Sequence, residues 1–242
     1  MNLKELLANP PVLHRSGDGK PLTYTLSDEA LSFIDEHIVT GSKTLETGAG
    51  ISTILFAMKG SEHICIVPDK DQVERIKDFC KCNQVSTDRI DFKIDGSENA
   101  LPQLRPTGLD LVLIDGCHGF PAPFIDWYYA GSGLKANGIL IIDDTQLWTG
   151  DVLRKFLIAE PDWQHDCDIL SRTAVFRKLN ASELLKEWPL QPYTLRHSRP
   201  AEDDNGLNSP IARAGRAVKH ILNGEFSILA KKILMNIKGY HD

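Results

Sequence analysis

No apolar run in these 242 residues approaches the roughly 18 needed to span a bilayer, which argues against a helical membrane protein. The opening Met1-Asn2-Leu3-Lys4-Glu5 makes a poor signal peptide, because an acid interrupts it and no long apolar stretch follows. Cysteine is sparse: Cys65, Cys80, Cys82, Cys117 and Cys167 are odd in number and scattered. Cys80-x-Cys82 is too close and too solitary for a zinc site. Reduced, mostly packing thiols in a cytoplasmic protein are the reading that follows. Positive charge is also short, and the net −6 argues against a general nucleic-acid binder. No internal repeat or low-complexity tract is evident. What remains is a composition of 42% hydrophobic and 25% charged residues, with length for one α/β domain and an appendage.

The body of the chain alternates between two periods. Leu45 marks a first strand, and Ile51 to Met58 a helix. His63 to Val67 is a short apolar strand, and Asp69 to Cys82 a helix carrying Val73, Ile76 and Phe79 at spacings of three. Ile90 to Ile94 alternates as a strand does, before an Asp95-Gly96 turn. Leu109 to Ile114 is the strongest buried-strand signal. A helix with Phe124, Ile125, Trp127 and Tyr128 follows, then a strand over Gly138–Ile142 and a helix from Val152 to Ala159. Trp163 to Leu170 and Arg172 to Leu179 are strands joined by too short a link for a crossover, so they pair antiparallel. Such alternation implies a parallel sheet with helices on both faces.

The link between the first strand and its helix reads Glu46-Thr47-Gly48-Ala49-Gly50-Ile51-Ser52-Thr53. A glycine turn feeding a helix exposes backbone N–H groups where the helix dipole is positive, and lets a ligand approach the backbone. A dinucleotide fingerprint needs a third glycine, where Thr53 stands. The E-x-G-x-G-x-S pattern resembles motif I of the class I S-adenosylmethionine (SAM) dependent methyltransferases. The element order fits the same family: five βα steps closed by a hairpin, in a Rossmann-like seven-stranded sheet with one antiparallel strand.

This resemblance assigns expectations to each strand end. Gly48 and Gly50 pass beneath the methionine part of SAM. Glu46 anchors the loop or the ligand's amino group, Ser52 offers its hydroxyl to the SAM carboxylate, and Thr53 lies in the same cofactor-binding turn. Asp69 is placed to accept the ribose hydroxyls, with Asp71 as a nearby rival and helix capping as the plain alternative. Asp95 sits where the family often holds the adenine amino group. The Ile114-Asp115-Gly116-Cys117-His118 run resembles the I-D-G-x-H of small-molecule O-methyltransferases. It makes His118 the candidate base and Asp115 its partner and a cofactor contact. In metal-dependent catechol-type relatives the equivalent strand ends hold magnesium. Asp115, Asp143 and Asp144 are the corresponding oxygens here, although the pair is Asp-Asp rather than Asp-Asn. Phe120, Phe124, Trp127 and Trp148 lie beside these positions, as acceptor-pocket lining or as core.

The ends of the chain are read separately. Residues 1–42 form a helical leader or lid, with Ser27 capping a helix that carries Asp28 and Glu29 in its first turn. Residues 43–179 are the SAM-binding domain, and residues 180–242 a linker and basic amphipathic helices. From Asn205 onward six Lys/Arg stand against two acids. Such a helix can dock on its own domain, pair in a homodimer, or contact a partner or a membrane surface peripherally. Basic C-terminal helices of this look also occur in proteins of bacterial surface-glycan synthesis. The expectation is a SAM-dependent methyltransferase acting on a small molecule, at oxygen. Two rivals stand beside it: a NAD(P)-dependent oxidoreductase, and a methyltransferase-like scaffold module of a surface-glycan pathway.

Overall fold

The computed structural model of the chain describes residues 1–22, 24–180, 184 and 186–198. It divides into two compact units, Met1–Ile158 with Asp162–Leu184, and Ala159–Pro161 with Leu185–Asp242. In the second unit the described elements are a 3-10 turn at Trp188–Leu190 and a short helix at Pro192–His197. The basic helices expected beyond Asn205 lie outside the described residues.

The first unit opens with α1 (Leu3–Ala8), a two-stranded ribbon of β1 (His14–Arg15) and β2 (Pro21–Leu22), and α2 (Asp28–His37). Ser27 caps α2 as expected, its hydroxyl accepting from the Ala30 N–H at 3.2 Å. This leader packs into the main core: Leu6, Leu13, Leu26, Leu31 and Ile34 join Ile54, Leu55 and Phe56 in one buried cluster.

The sheet comprises β3 (Lys43–Thr47), β4 (Glu62–Ile66), β5 (Ile90–Lys93), β6 (Leu109–Ile114), β7 (Leu134–Ile142), β8 (Trp163–Ile169) and β9 (Thr173–Lys178). Their spatial order is β5-β4-β3-β6-β7-β9-β8. The first five run parallel, and β9 lies antiparallel between β7 and β8. Helices α3 (Ile51–Lys59), α4 (Lys70–Cys82), α5 (Ser97–Leu104), α6 (Ala122–Ser132) and α7 (Trp148–Ala159) make the connections. The seven-stranded class I methyltransferase fold is therefore present. Leu111, Val112, Leu113 and Ile114 are all buried, so β6 is covered on both faces, as its unbroken apolar run implies.

Three elements differ from the periodicity. β7 begins four residues before Gly138, because Asn137, at φ +66°, forms an irregularity that lets Leu134 still pair with Leu109. Helix α5 has no clear sequence signal, since Pro102 stands inside it. Helix α7 starts at Trp148, four residues ahead of Val152.

Chain order reverses between β3 and β6, and in open parallel sheets ligands bind beyond the carboxyl ends of the strands at such a point, where a crevice is expected. Register brings the strand ends level there: Thr47 pairs with Ile66 and Ile114, and Ile114 with Ile142. The hydrogen bonding continues one step further. The N–H of Gly48 donates to Ile66, that of Asp115 to Thr47, and that of Asp143 to Ile114, at 2.9, 3.1 and 3.0 Å. These bonds set the glycine turn, Asp115 and Asp143 along one edge.

Candidate active site at the carboxyl edge of the sheet

Two backbone loops interlock at the reversal point. Gly48 has φ +87°, and a Cβ there would stand 2.2 Å from the Asp115 carbonyl oxygen and 3.3 Å from the Gly116 Cα. Only glycine fits both the left-handed conformation and the close approach. Gly50 caps α3 without a side-chain oxygen, so no side chain from the cap covers the N–H groups of that first turn. The expected turn is thus a backbone cradle at a helix N-terminus.

Glu46 lies beneath this cradle, fully buried. Ser52 Oγ donates to its Oε2 at 2.6 Å, Thr53 Oγ1 donates to its Oε1, and His63 Nε2 lies 3.1 Å from Oε1. Thr53 Oγ1 also accepts from the Gly50 N–H at 3.0 Å. Of the two roles open to Glu46, this geometry is that of a loop anchor. Ser52 is buried as well, and its hydroxyl is directed at Glu46 rather than outward. A buried carboxylate with three donors avoids the cost of an unpaired charge. The nearby Cys65 thiol is pushed well above its usual range by burial, then by the Glu46 charge.

The next two acids are more open. Asp69 caps α4, its Oδ1 accepting from Asp71 and Gln72 N–H groups at 2.8 and 3.1 Å, while Oδ2 meets Arg75 at 3.0 Å. The carboxylate is still 49% exposed. Asp95 is exposed and accepts from the Gly96 N–H and Asn99. Sequence reasoning missed two groups at the turn. Gln72 is buried and donates to the Ala49 carbonyl, and His14 from the leader ribbon rests 3.6 Å from where a Gly50 Cβ would be. Burial and then Arg75 hold the His14 imidazole below its usual range. A contact from so distant a segment leaves no trace in local spacing.

On the other side of the crevice, His118 Nε2 stands 3.1 Å from Asp144 Oδ2. Thr149 fixes the backbone there by donating to the His118 carbonyl. Asp115, His118 and Asp144 offer ligand atoms within 4.8 Å of one another. Burial, then the charges of Asp143 and Asp144, push the Asp115 carboxyl well above the usual carboxylate range. Beneath lies another unforeseen acid, Asp126. Thr47 Oγ1 donates to it at 2.7 Å, and burial raises its pKa to about 6 against the opposing Ser97 and Thr47 hydroxyls.

Of the three acids singled out for magnesium, Asp115 and Asp144 come together with His118, whereas Asp143 is not part of that group. Asp143 is buried, with one oxygen on Arg172 Nη2 at 2.9 Å and the other accepting from Thr173 Oγ1. Asp144 Oδ1 meets the same Nη2 at 3.0 Å and Gln146 Nε2 at 2.6 Å. A hard divalent ion wants about six oxygens, whereas these carboxylates already face a guanidinium. The donor set does not fit magnesium. The aromatics also separate: Trp127 is core, packed edge-on to Phe156, while Phe120 and Trp148 are 70% and 66% exposed with ring centroids 6.2 Å apart. Phe124 stands edge-on to Phe120.

Residues 45–145 match the family model described as a methyltransferase domain. A search of curated proteins finds no match. Among solved structures, the O-methyltransferase TomG from Streptomyces achromogenes, in complex with SAM, superposes with a TM-score of 0.58 at 15% identity, covering 73% of this chain and 90% of its own. A candidate caffeoyl-CoA O-methyltransferase from Staphylococcus aureus gives 0.54 at 13%, covering 74% and 92%. A candidate rRNA methylase from Clostridium thermocellum gives 0.52 at 14%, covering 66% and 100%. At such identities these likenesses speak for the fold. Residues 45–145 thus match a methyltransferase domain, and the sheet that carries them has the strand order of the class I methyltransferase fold.

Proposed function

We propose that this chain transfers the methyl group of SAM to a hydroxyl of a small-molecule acceptor, with His118 as the general base. The observation that carries this reading is the His118–Asp144 pair at 3.1 Å, at the strand edge that also bears the glycine cradle. SAM supplies a methyl group already activated on a sulfonium. The protein must then align the acceptor and take its proton. Asp144 orients the imidazole through the 3.1 Å contact with its Nε2. Burial and the neighbouring acids push the Asp115 carboxyl up, and its strand end sets it beside the glycine turn and within reach of His118. Gly48, Gly50 and the first turn of α3 receive the methionine carboxylate, and Glu46, Ser52 and Thr53 hold that turn from below. Asp69 takes the ribose hydroxyls and Asp95 the adenine amino group. Phe120 and Trp148 offer apolar faces to the acceptor, which favours a small organic molecule over a nucleic acid, as does the net charge of −6.

The rival readings have less behind them. A dinucleotide site lacks its third glycine, since Thr53 is buried against Glu46, and the sheet ends in a hairpin. A scaffold without chemistry leaves the His118–Asp144 pair without a purpose. A cytoplasmic setting suits five free cysteines, and among the described residues no helix is long and apolar enough to cross a membrane. Homodimer or membrane contact through the tail stays part of this proposal, to be tested by truncation before Ser209. The central test is isothermal titration of the full chain with SAM, S-adenosylhomocysteine and NAD. Heat is expected with the first two and none with NAD. The opposite pattern would overturn the reading.

A further inference from the structure

We infer that Arg172 is the resident cation of the acidic strand edge, so that this site works with a guanidinium where a divalent metal would otherwise be drawn in. The inference does not depend on which acceptor is methylated. Three acids, Asp115, Asp143 and Asp144, crowd the ends of β6 and β7, and without a cation their mutual repulsion would be severe. Arginine stays charged throughout the working pH range and presents several donors in a planar fork. Here a single Nη2 bridges Asp143 at 2.9 Å and Asp144 at 3.0 Å.

Arg172 is held in place by the hairpin that carries it. Leu170 and Ser171 occupy the two turn positions at φ +49° and +55°, the left-handed pair that closes a tight hairpin. The Arg172 N–H donates to the Ile169 carbonyl at 3.1 Å, and its own carbonyl accepts from the Thr145 N–H at 2.8 Å. That second bond ties the turn to the loop that bears Asp143 and Asp144. The next residue, Thr173, donates to the remaining Asp143 oxygen. A divalent ion that took Asp143 or the Oδ1 of Asp144 would therefore have to displace a guanidinium whose backbone is fixed on both sides, and one on the Asp144 Oδ2 would sit beside that positive charge. With Arg172 removed, Asp115, His118 and Asp144, whose ligand atoms lie within 4.8 Å of one another, lose the cation that offsets the charge of this edge and become a cluster of the kind that binds hard or borderline cations.

The test titrates Mn2+ into the full-length protein and follows the free-ion signal by electron paramagnetic resonance. Wild type is expected to bind no Mn2+ at millimolar concentration, and its SAM affinity to be unchanged by chelator. Arg172→Ala is expected to acquire a Mn2+ site with a dissociation constant on the order of 10⁻⁴ to 10⁻³ M, the range of weak oxygen sites. Arg172→Lys, which keeps the charge, is expected to bind none. Stoichiometric Mn2+ binding by wild type that Asp144→Asn abolishes would overturn the inference, and needs no arginine variant to fold. A folded Arg172→Ala that binds no Mn2+ would overturn it equally.

Discussion

Gly48 and Asp115 meet backbone to backbone: a Cβ on the first would stand 2.2 Å from the carbonyl oxygen of the second. The cofactor turn and the I-D-G loop are thus set against each other through atoms, not side chains. Gly48→Ala must both leave its left-handed conformation and push the Asp115 loop away. We expect a loss on the order of 2–4 kcal/mol of stability, with SAM binding abolished even where the variant stays folded. Thermal unfolding and SAM titration on the same sample check this. A variant that binds SAM with wild-type affinity would refute the cradle.

Asp69 allows the ribose role to be separated from the capping role. Asparagine caps a helix as well as aspartate does, and the lost Arg75 pair is exposed enough to be worth about 1 kcal/mol or less. Asp69→Asn is therefore expected to shift the melting temperature little. Two charge-assisted bonds to ribose would weaken, which lowers SAM affinity by about 10- to 100-fold. Unchanged affinity would move the ribose role to another acid, Asp71 first.

For His118 the expected signature is kinetic. His118→Gln places an amide near the Nε2 position that meets Asp144 but cannot take a proton. The rate of S-adenosylhomocysteine release with a competent hydroxylated acceptor should fall by about 10²- to 10⁴-fold, while SAM affinity holds. A rate within threefold of wild type would assign the proton to another group, or to none.

Much of this architecture is legible in the sequence because burial writes itself into local pattern. β6 has apolar residues at five of six positions, being covered on both faces, and the Glu46-to-Gly50 spacing encodes a turn that only glycine can make. Helix α5 is hidden by Pro102, and the start of β7 by the irregularity at Asn137. The site is legible only where a residue's role is set by its own strand end. Arg172 reaches Asp143 across 29 positions, from a hairpin turn of Leu170 and Ser171 that lacks the usual Asn, Asp or Gly. His14 meets the glycine turn from the far leader. Tertiary contacts of this kind have no period and no motif, so the expected magnesium site could not be weighed against the arginine that faces it.

Asp126 gives the fold a pH dependence of defined sign. Its pKa of about 6 in the folded protein lies above the ordinary value near 3.9 expected in the unfolded chain. Between those two values the folded state holds a proton that the unfolded state has released. Linkage then makes this group's contribution to stability fall as pH rises through the window, and stay at its most unfavourable above about pH 6. Asp126→Asn removes the buried charge while keeping an acceptor for the Thr47 hydroxyl. The variant should therefore gain on wild type at pH 7.5, by on the order of 1–3 kcal/mol, with the gain shrinking toward pH 4. Chemical denaturation of both proteins across that range measures the difference directly. A stability difference that is flat with pH would show that Asp126 is ionised and paired in the fold, and would remove it as the source of the dependence.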